Sequence, residues 1–414
     1  MKPKNEIVVV KFGGTSVGDT EKIKKVADRI IKIKSGGNDV VVVVSAMGHT
    51  TDELIELSKR ITGDPDRREM DMLLSTGEQV SVALVAMAIQ EKGYGCISLT
   101  GNQAGILTDD IFSNAKILNI NTGRLQKELK KGRIVIVAGF QGITPEGDIA
   151  TLGRGGSDTT AVALAAALNA RYCEIYTDVD GVYTTDPNIV PEARKIGKLS
   201  YEEMLELASS GAKVLHLRAV EFANKHNVII HVRSSFNDNE GTWVMEKKKK
   251  EIEMEKALVT GVTYDTDQVK ITIFGLQDIP GIAAKLFGEF AEKNINVDLI
   301  VQNVSEKDVA TISFTIKNDD INMAKKVLES LKNIIVFNEY DIDPEVSKVS
   351  IVGAGMQTHP GVAAKMFQVL SDEKINIEMI STSPIRISCV VRKEKVKLAV
   401  KALHRAFDLE NGLS

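Results

Sequence analysis

Five consecutive valines, Val40–Val44, constrain the fold of this chain more than any other feature. Valine is branched at Cβ and favours strands, and a strand without polar alternation is buried on both faces. Such a strand needs helices on each side of its sheet. Other short apolar runs also predict strands, namely Ile7–Phe12, Cys96–Leu99, Arg133–Ala138, Glu174–Thr177 and Val228–Val232.

Helical patterns alternate with these strands, which is typical of a parallel sheet between two helical layers. The predicted helices are Asp19–Lys34, Glu78–Lys92, Asp158–Leu168, Tyr201–Leu207 and Lys213–His226. Ser200 and Glu203 have the spacing of a capping box for one of them. We therefore expect an α/β fold, a three-layer sandwich with a mainly parallel sheet, whose ligands lie at the carboxyl ends of the strands.

The length of 414 residues predicts more than one domain. Four lysines, Lys247–Lys250, stand among glutamates and are typical of a solvated linker. We expect a first domain over residues 1–245 and a linker over residues 246–256.

An internal repeat occupies the last third of the chain. Asp278–Lys285 recurs as Thr358–Lys365, and Pro280 and Pro360 are 80 residues apart. Asn296-Val297-Asp298 recurs as Asn376-Ile377-Glu378 at the same offset. Repetition at a fixed offset indicates two copies of one α+β unit.

The two copies differ in how their sheets close. The first has a closing strand near Val336–Tyr340, whereas the second ends after its last helix. A spare strand, Ala257–Tyr264, precedes the first copy. We expect this strand to close the second sheet, so that a first copy at 265–342 is inserted into a second made of 257–264 and 343–414. Pairing of Val259–Val262 with the second copy tests this arrangement.

Composition excludes several classes of partner. The net charge is −4 and the isoelectric point is near 6.0, so we expect no nucleic-acid partner. Cys96, Cys173 and Cys389 lie in apolar runs without metal-type spacing, as expected of reduced cytoplasmic thiols. The apolar run near the N-terminus is too short for a signal segment or a membrane span. The expected location is cytoplasmic, with no membrane partner.

Two glycine-containing loops indicate phosphate chemistry. Lys11-Phe12-Gly13-Gly14-Thr15-Ser16 and Gly153-Arg154-Gly155-Gly156-Ser157-Asp158 each follow a strand and precede a helix. Glycines let backbone N–H groups approach a polyanion, and the helix N-terminus favours negative charge. Lys11 and Arg154 add fixed cations, so we expect a nucleoside triphosphate and phosphoryl transfer. The chain lacks the P-loop pattern.

Three further segments follow strands or open helices. Ser45–Asp52 carries hydroxyls suited to a small polar substrate. Glu78 could bind an ammonium group, but taken alone it is better interpreted as an acid favoured in the first turn of its helix. Thr177–Pro187 suggests an adenine and ribose pocket, although Asp-Gly and Asp-Pro are also simple turn formers. His49 belongs to no Ser/His/Asp set and to no metal-ligand spacing, so we interpret it as a loop residue and expect no protein-held metal.

Taken together, these segments and the repeat resemble the aspartokinases of the amino-acid kinase family, which carry two ferredoxin-like ACT domains. The resemblance covers nearly the whole chain. It implies ATP- and Mg²⁺-dependent phosphorylation of the side-chain carboxylate of L-aspartate to 4-phospho-L-aspartate, the first step toward lysine, threonine and methionine. A carboxylate with a reference pKa of ~4 is already ionised at neutral pH, so no general base is needed.

The resemblance also implies site residues. The catalytic residues would be Lys11, Asp158 and Arg154. The aspartate pocket would be Ser45, Thr51, Glu78, Arg154 and Ser157. The nucleotide pocket would be Lys11, Gly13, Gly14, Thr177, Asp178, Tyr183, Lys213 and Val214.

Regulation is implied as well, by lysine, threonine or both at the ACT domains, in a homo-oligomer formed through those domains. The effector groups would be Asp278, Asn296, Asp298, Gln302, Val362, Asn376 and Ser383. Asp278 becomes Thr358 in the second copy, which removes a charge. We therefore expect lysine to bind only the first copy.

Two departures and two alternatives remain. Asn188 stands where many relatives carry an arginine for the nucleotide phosphates, and Leu217 stands where many have a proline. The alternatives are another amino-acid kinase, of the glutamate or acetylglutamate type, and a non-catalytic amino-acid sensor.

Overall fold

The computed structural model describes residues 6–246, 258–304, 309–354, 356, 359 and 361–411. The expected linker lies outside the described residues except for Glu246, and so do Thr358 and Pro360. The chain forms two compact units. The first comprises Met1–Val182, Lys195–Ala208 and Lys213–Ile252, and the second comprises Tyr183–Arg194, Ser209–Ala212 and Glu253–Ser414.

The first unit is built on an eight-stranded sheet with the order β10-β12-β11-β9-β1-β2-β6-β3. All its neighbours are parallel except β11 and β12. Its strands are β1 Ile7–Phe12, β2 Asp39–Val44, β3 Cys96–Leu99, β6 Ile134–Ala138, β9 Tyr172–Thr177, β10 Lys198–Leu199, β11 Ile230–Ser234 and β12 Thr242–Val244. The five valines of β2 are fully buried, as expected.

A second, four-stranded sheet in this unit has the order β5-β4-β7-β8. Its strands are β4 Ile106–Thr108, β5 Ile117–Ile120, β7 Gln141–Ile143 and β8 Ile149–Thr151. Strands of three or four residues are too short to show a hydrophobic period, so the sequence did not predict this sheet.

Helices cover both faces of the large sheet. They are α1 Thr20–Ser35, α2 Thr50–Lys59, α3 Arg67–Glu91, α4 Gly123–Lys130, α5 Gly156–Ala167, α6 Tyr201–Ser209 and α7 Leu217–His226. Helices α1 and α3 pack against Val8, Val10 and Phe12 of β1, while α5 is buried from Gly156 to Ala165. The predicted three-layer sandwich is confirmed, and so is the capping box of Ser200 and Glu203 on α6.

Two of the predicted helices begin four or more residues from the predicted start. Helix α3 begins at Arg67, 11 residues before Glu78, because the Asp66 side chain accepts from the backbone N–H groups of Arg68 and Glu69. Helix α3 continues through Gly77. A Cβ at Gly77 would lie 2.9 Å from Ala46 Cβ, so glycine allows the helix to approach the loop after β2 closely. Helix α7 begins at Leu217, so a proline at this first helical position would not distort it.

Helix α3 also has the length and hydropathy of a membrane span, and among the described helices it is the one with both properties. However, 56% of its most apolar window is buried within the protein. Burial of this kind is typical of a core helix.

The second unit holds a six-stranded antiparallel sheet with the order β14-β15-β13-β16-β18-β17. Its strands are β13 Leu258–Gln277, β14 Asp298–Val304, β15 Val309–Ile316, β16 Glu339–Ala354, β17 Met379–Ser383 and β18 Arg386–Arg392. Its helices are α8 Ile282–Glu292, α9 Ile321–Leu331, α10 Val362–Asp372 and α11 Val396–Ala406. Each copy of the repeat therefore has the α+β content that the sequence predicts.

Two long strands each serve both copies. The first part of β13 pairs with the last part of β16, with Val259 opposite Gly353 and Val262 opposite Ile351. The predicted pairing of Val259–Val262 with the second copy is thus confirmed. The closing strand of the first copy starts at Glu339, three residues later than predicted, and continues without a break into the second copy.

A cluster of aromatic side chains in the core of the first copy should contribute strongly to stability. Phe314 on β15 is fully buried, and its ring centroid lies 5.3 Å from that of Phe287 and 5.2 Å from that of Phe290. Replacing Phe314 with alanine should lower the free energy of unfolding of this unit by about 3–5 kcal/mol through lost burial and a cavity. Urea unfolding measures the change. Phe274→Ala is the matched control because Phe274 is 37% exposed, and an equal loss in both variants would contradict the assigned core.

Candidate active site

Lys11 and Asp158 form the central ion pair of the first unit. Lys11 is near the end of β1, and its Nζ lies 2.6 Å from Oδ1 of Asp158 in the first turn of α5. Each side chain is 12% exposed. The pair therefore places a screened cation at the N-terminus of a helix, where backbone N–H groups already favour negative charge.

The loop after β1 packs directly on the loop after β2. The Gly48 N–H donates to Gly14 O at 3.0 Å, and the Ser45 N–H donates to Phe12 O at 3.1 Å. A Cβ at Gly14 would lie 2.8 Å from Ala46 O, so only glycine allows this approach. Gly13 donates its N–H to Tyr176 O at 3.3 Å, which also ties the loop to β9.

Glu78 carries a buried carboxylate beside this loop. It is 3% exposed on α3, and its Oε1 accepts from the Ala46 N–H at 3.2 Å. Its Oε2 has no hydrogen-bond partner within the described part of the chain. Burial raises the pKa of Glu78 to about 8, so a ligand cation at Oε2 would stabilise the ionised form. Thr51, half-buried on α2, is the other predicted substrate residue of this region.

The Arg154 loop links β8 to α5 through two left-handed glycines. Gly153 has φ 75° and Gly155 has φ 69°, and a Cβ at Gly155 would lie 2.0 Å from the His216 ring. Arg154 is exposed between them. Ser157 is buried, and a Cβ on Gly139 after β6 would lie 2.9 Å from its Oγ. Because these loops meet at the carboxyl ends of β1, β2 and β6, the structure brings Lys11, Ser157 and Asp158 to one edge of the sheet.

The predicted nucleotide residues are more dispersed. Thr177 ends β9, accepts the Ser235 N–H on its carbonyl at 2.9 Å, and donates its hydroxyl to Asp178 at 2.9 Å. Lys213 is exposed and Val214 half-buried in the segment before α7, not within the helix as predicted. Tyr183 belongs to the second unit, where it packs against the apolar core around α11.

Two residues that the sequence did not single out hold the Arg154 loop. Arg218 donates to Leu152 O at 2.8 Å and to Ala115 O at 2.6 Å, and burial lowers its pKa. His216 packs on Gly155, and burial lowers its pKa as well. No sequence motif marks these two residues, because each contacts a residue more than 60 positions away along the chain.

The predicted effector residues lie in the second unit. Asp278, Asn296, Gln302 and Asn376 are exposed, whereas Val362 and Ser383 are half-buried. Asp298 is engaged within this unit, since Lys348 Nζ lies 2.5 Å from its Oδ2. Burial of Asp298 opposes ionisation, but the charge and hydrogen bond of Lys348 outweigh it and lower the pKa of Asp298. Lys348 is itself buried and also donates to Ser209 O at 3.3 Å.

No group of three or more His, Cys, Asp or Glu side chains in the described ranges could hold a metal ion. The Asp158 carboxylate is engaged by Lys11. A divalent cation at this site would therefore need oxygen ligands from a bound polyphosphate.

The raised pKa of Glu78 predicts a pH-dependent stability. The folded state binds this proton more tightly than the unfolded state does, so the contribution of Glu78 to stability falls as pH rises from about 4.5 to about 8. A glutamine side chain mimics the protonated carboxyl, so Glu78→Gln should gain stability relative to the unsubstituted protein across this window. Urea unfolding at several pH values measures the difference. E91Q, at the exposed end of α3, is the control, and a pH-independent difference for E78Q would contradict the prediction.

Comparisons with known proteins identify the family of this chain. A profile of the amino acid kinase family matches residues 6–234, and ACT domain profiles match residues 270–336 and 349–407. An aspartokinase of Bacillus sp. (strain MGA3) is 54% identical over 97% of this chain and 97% of its own length. The solved structure of E. coli aspartokinase III in complex with aspartate and ADP (R-state) is 28% identical, with a TM-score of 0.82 over 97% of this chain and 99% of that chain.

A second solved structure, E. coli aspartokinase III in complex with lysine and aspartate (T-state), is 27% identical. Its TM-score is 0.72 over 97% of this chain and the whole of that chain. The family profile covers more than half of this chain, and the Bacillus relative is similar over almost all of it. The chain belongs to the amino acid kinase family, among its aspartokinases, and carries two ACT domains after the kinase domain.

Proposed function

We propose that this chain transfers the γ-phosphoryl group of ATP to the side-chain carboxylate of L-aspartate and so forms 4-phospho-L-aspartate. The Lys11–Asp158 pair at the N-terminus of α5 carries the proposal, since it holds a cation where two anionic reactants must meet. The aspartate and ADP bound in the E. coli relative support the same pair of reactants.

The aspartate pocket follows from charge. Glu78 accepts the α-ammonium at its unpartnered Oε2, and Arg154 binds the α-carboxylate with its planar guanidinium. Ser45, Thr51 and Ser157 complete the pocket with hydroxyl groups. Held by the two charged groups on its Cα, the substrate presents its side-chain carboxylate toward Lys11.

The chemical step needs alignment and charge neutralisation. The attacking carboxylate is already ionised, so no side chain has to remove a proton. Lys11 and the Gly14 N–H group stabilise charge on the transferred phosphoryl group. Mg²⁺ bound to the ATP phosphates would supply further neutralisation. Asp158 keeps Lys11 in place.

The nucleotide is held by Lys11, Gly13 and Gly14 at its phosphates. Its base and ribose are bound by residues around the end of β9 and the segment before α7, which are Thr177, Asp178, Lys213 and Val214. Asn188 lacks the charge to take part in holding the phosphates, so Lys11 carries a larger share of that role.

An assay with hydroxylamine tests the activity, because an acyl phosphate is trapped as a hydroxamate. L-Aspartate should give hydroxamate with ATP, whereas L-glutamate and N-acetyl-L-glutamate should give little. A preference for either glutamate compound would favour the other amino-acid kinases. No turnover together with tight lysine binding would favour a sensor.

Lys11 provides a sharper test of the mechanism. Lys11→Met should lower kcat about 100-fold or more, since the substituted side chain leaves charge in the transition state unbalanced. Lys25→Met, at an exposed position of α1, should leave kcat unchanged. Steady-state kinetics measure both, and a K11M enzyme with nearly full kcat would overturn the assigned role.

Regulation is part of the proposal. The kinase domain is residues 1–245, the linker is 246–256, the first ACT domain is 265–342, and the second is 257–264 with 343–414. Lysine, threonine or both inhibit at the ACT domains, which also pair copies of the chain into a homo-oligomer in the cytoplasm. Because Asp298 is already paired with Lys348, Asp278 is the carboxylate better placed to attract a lysine ammonium.

The effector site predicts an asymmetry between the two copies. Asp278→Ala should raise the lysine concentration for half-inhibition about tenfold, because a charge-assisted hydrogen bond is lost. Thr358→Ala, the equivalent change in the second copy, is the matched control and should leave inhibition by lysine unchanged. Inhibition curves for both variants measure the effect, and an unshifted D278A curve would exclude Asp278 from the effector site.

A further inference from the structure

Asp71 is a buried carboxylate with no part in the proposed reaction. It is completely inaccessible to solvent on α3, seven residues before Glu78. A spacing of seven places the two side chains on the same face of the helix, ~10.5 Å apart along its axis. A buried carboxylate is costly unless hydrogen bonds compensate for lost water.

Asp71 obtains that compensation from two distant segments. Its Oδ2 accepts from the N–H groups of Thr151 at 2.7 Å and Ser113 at 2.9 Å. Its Oδ1 accepts from the hydroxyls of the same residues, at 2.7 Å from Thr151 and 3.2 Å from Ser113. Only a carboxylate accepts all four bonds without offering a donor, so one side chain fixes both segments to α3.

Both segments support the Arg154 loop. Thr151 is the last residue of β8 and stands three residues before Arg154. Ser113 O would lie 3.0 Å from a Cβ at Gly153, so it forms the wall against which this glycine packs. Ser113 has φ 67°, an unfavourable value for a residue with a side chain, and its two bonds to Asp71 offset that cost.

We infer that Asp71 is a positioning residue for substrate recognition, which sets the position of Arg154 relative to Glu78 through the rigid helix that they share. Glu78 is a residue of α3 itself. The Arg154 loop is attached to the same helix through the hydrogen bonds of Thr151 and Ser113 to Asp71. The inference rests on the proposed function, in which these two groups hold the two ends of the amino-acid moiety.

The test compares L-aspartate with L-aspartic acid α-amide, in which the carboxylate assigned to Arg154 is neutral. Asp71→Asn keeps the shape but turns one acceptor into a donor that faces other donors. D71N should raise KM for aspartate about tenfold or more and lower the preference for aspartate over the amide by a similar factor. Its KM for ATP should stay within about twofold. An unchanged preference would overturn the inference, even if overall activity fell.

Two variants guard against a folding artefact. Asp148 lies in the hairpin between β7 and β8 and pairs with Arg68 of α3. Asp148→Asn breaks this ion pair and should leave the preference for aspartate over the amide unchanged. Thr151→Val removes only the hydroxyl bond to Asp71 and should lower the preference to a smaller extent, so it replaces D71N if that variant does not fold. An unchanged preference in T151V would then count against the inference.

Arg154→Ala separates this inference from the proposed function. If R154A keeps the preference for aspartate over the amide, the assignment of Arg154 fails and the role of Asp71 fails with it. If R154A loses the preference while D71N retains it, the substrate assignment stands and only the positioning role is wrong.

Discussion

The ion pair between Lys11 and Asp158 joins the two elements on which the candidate site depends. Lys11 lies near the end of the central strand β1, and Asp158 lies in the first turn of the buried helix α5. A lysine at this depth needs a counter-charge, and a helix N-terminus is the place where a carboxylate is most stable. The pair therefore compensates both largely buried charges and keeps a lysine at the carboxyl end of β1.

The second unit depends on a different constraint, which is the sharing of strands. Both β13 and β16 run through both copies of the repeat, so neither copy is complete without the other. Ion pairs also join the two copies, since Lys348 binds Asp298 and Lys270 binds Glu378. The two copies therefore form one continuous sheet.

Much of the fold was accessible from the sequence because its signals are local. The valine run, the capping box and the repeat each lie within a few residues or at a fixed offset. The four-stranded sheet was missed because β4, β7 and β8 are three residues long. The predicted start of α3 at Glu78 was wrong because the Asp66 side chain caps the helix 12 residues earlier.

The candidate site, like the fold, could be predicted only in part from the sequence. Lys11, Asp158 and Glu78 follow from motifs, and the structure gives each of them a partner or a buried environment. The supporting residues do not follow from motifs, since Asp71 acts through residues 42 and 80 positions away. Hydrogen bonds between distant segments leave no periodic pattern in a sequence, and only the fold reveals them.

The composition of the second unit has a consequence for how the chain divides. Tyr183–Arg194 comes from the middle of the kinase sequence, yet Ile189, Val190 and Ala193 are buried in the core that includes α11. A fragment ending near residue 245 would carry these apolar side chains without the surface that covers them. We therefore expect a fragment that ends near residue 245 to be less stable and to aggregate more readily than the full chain.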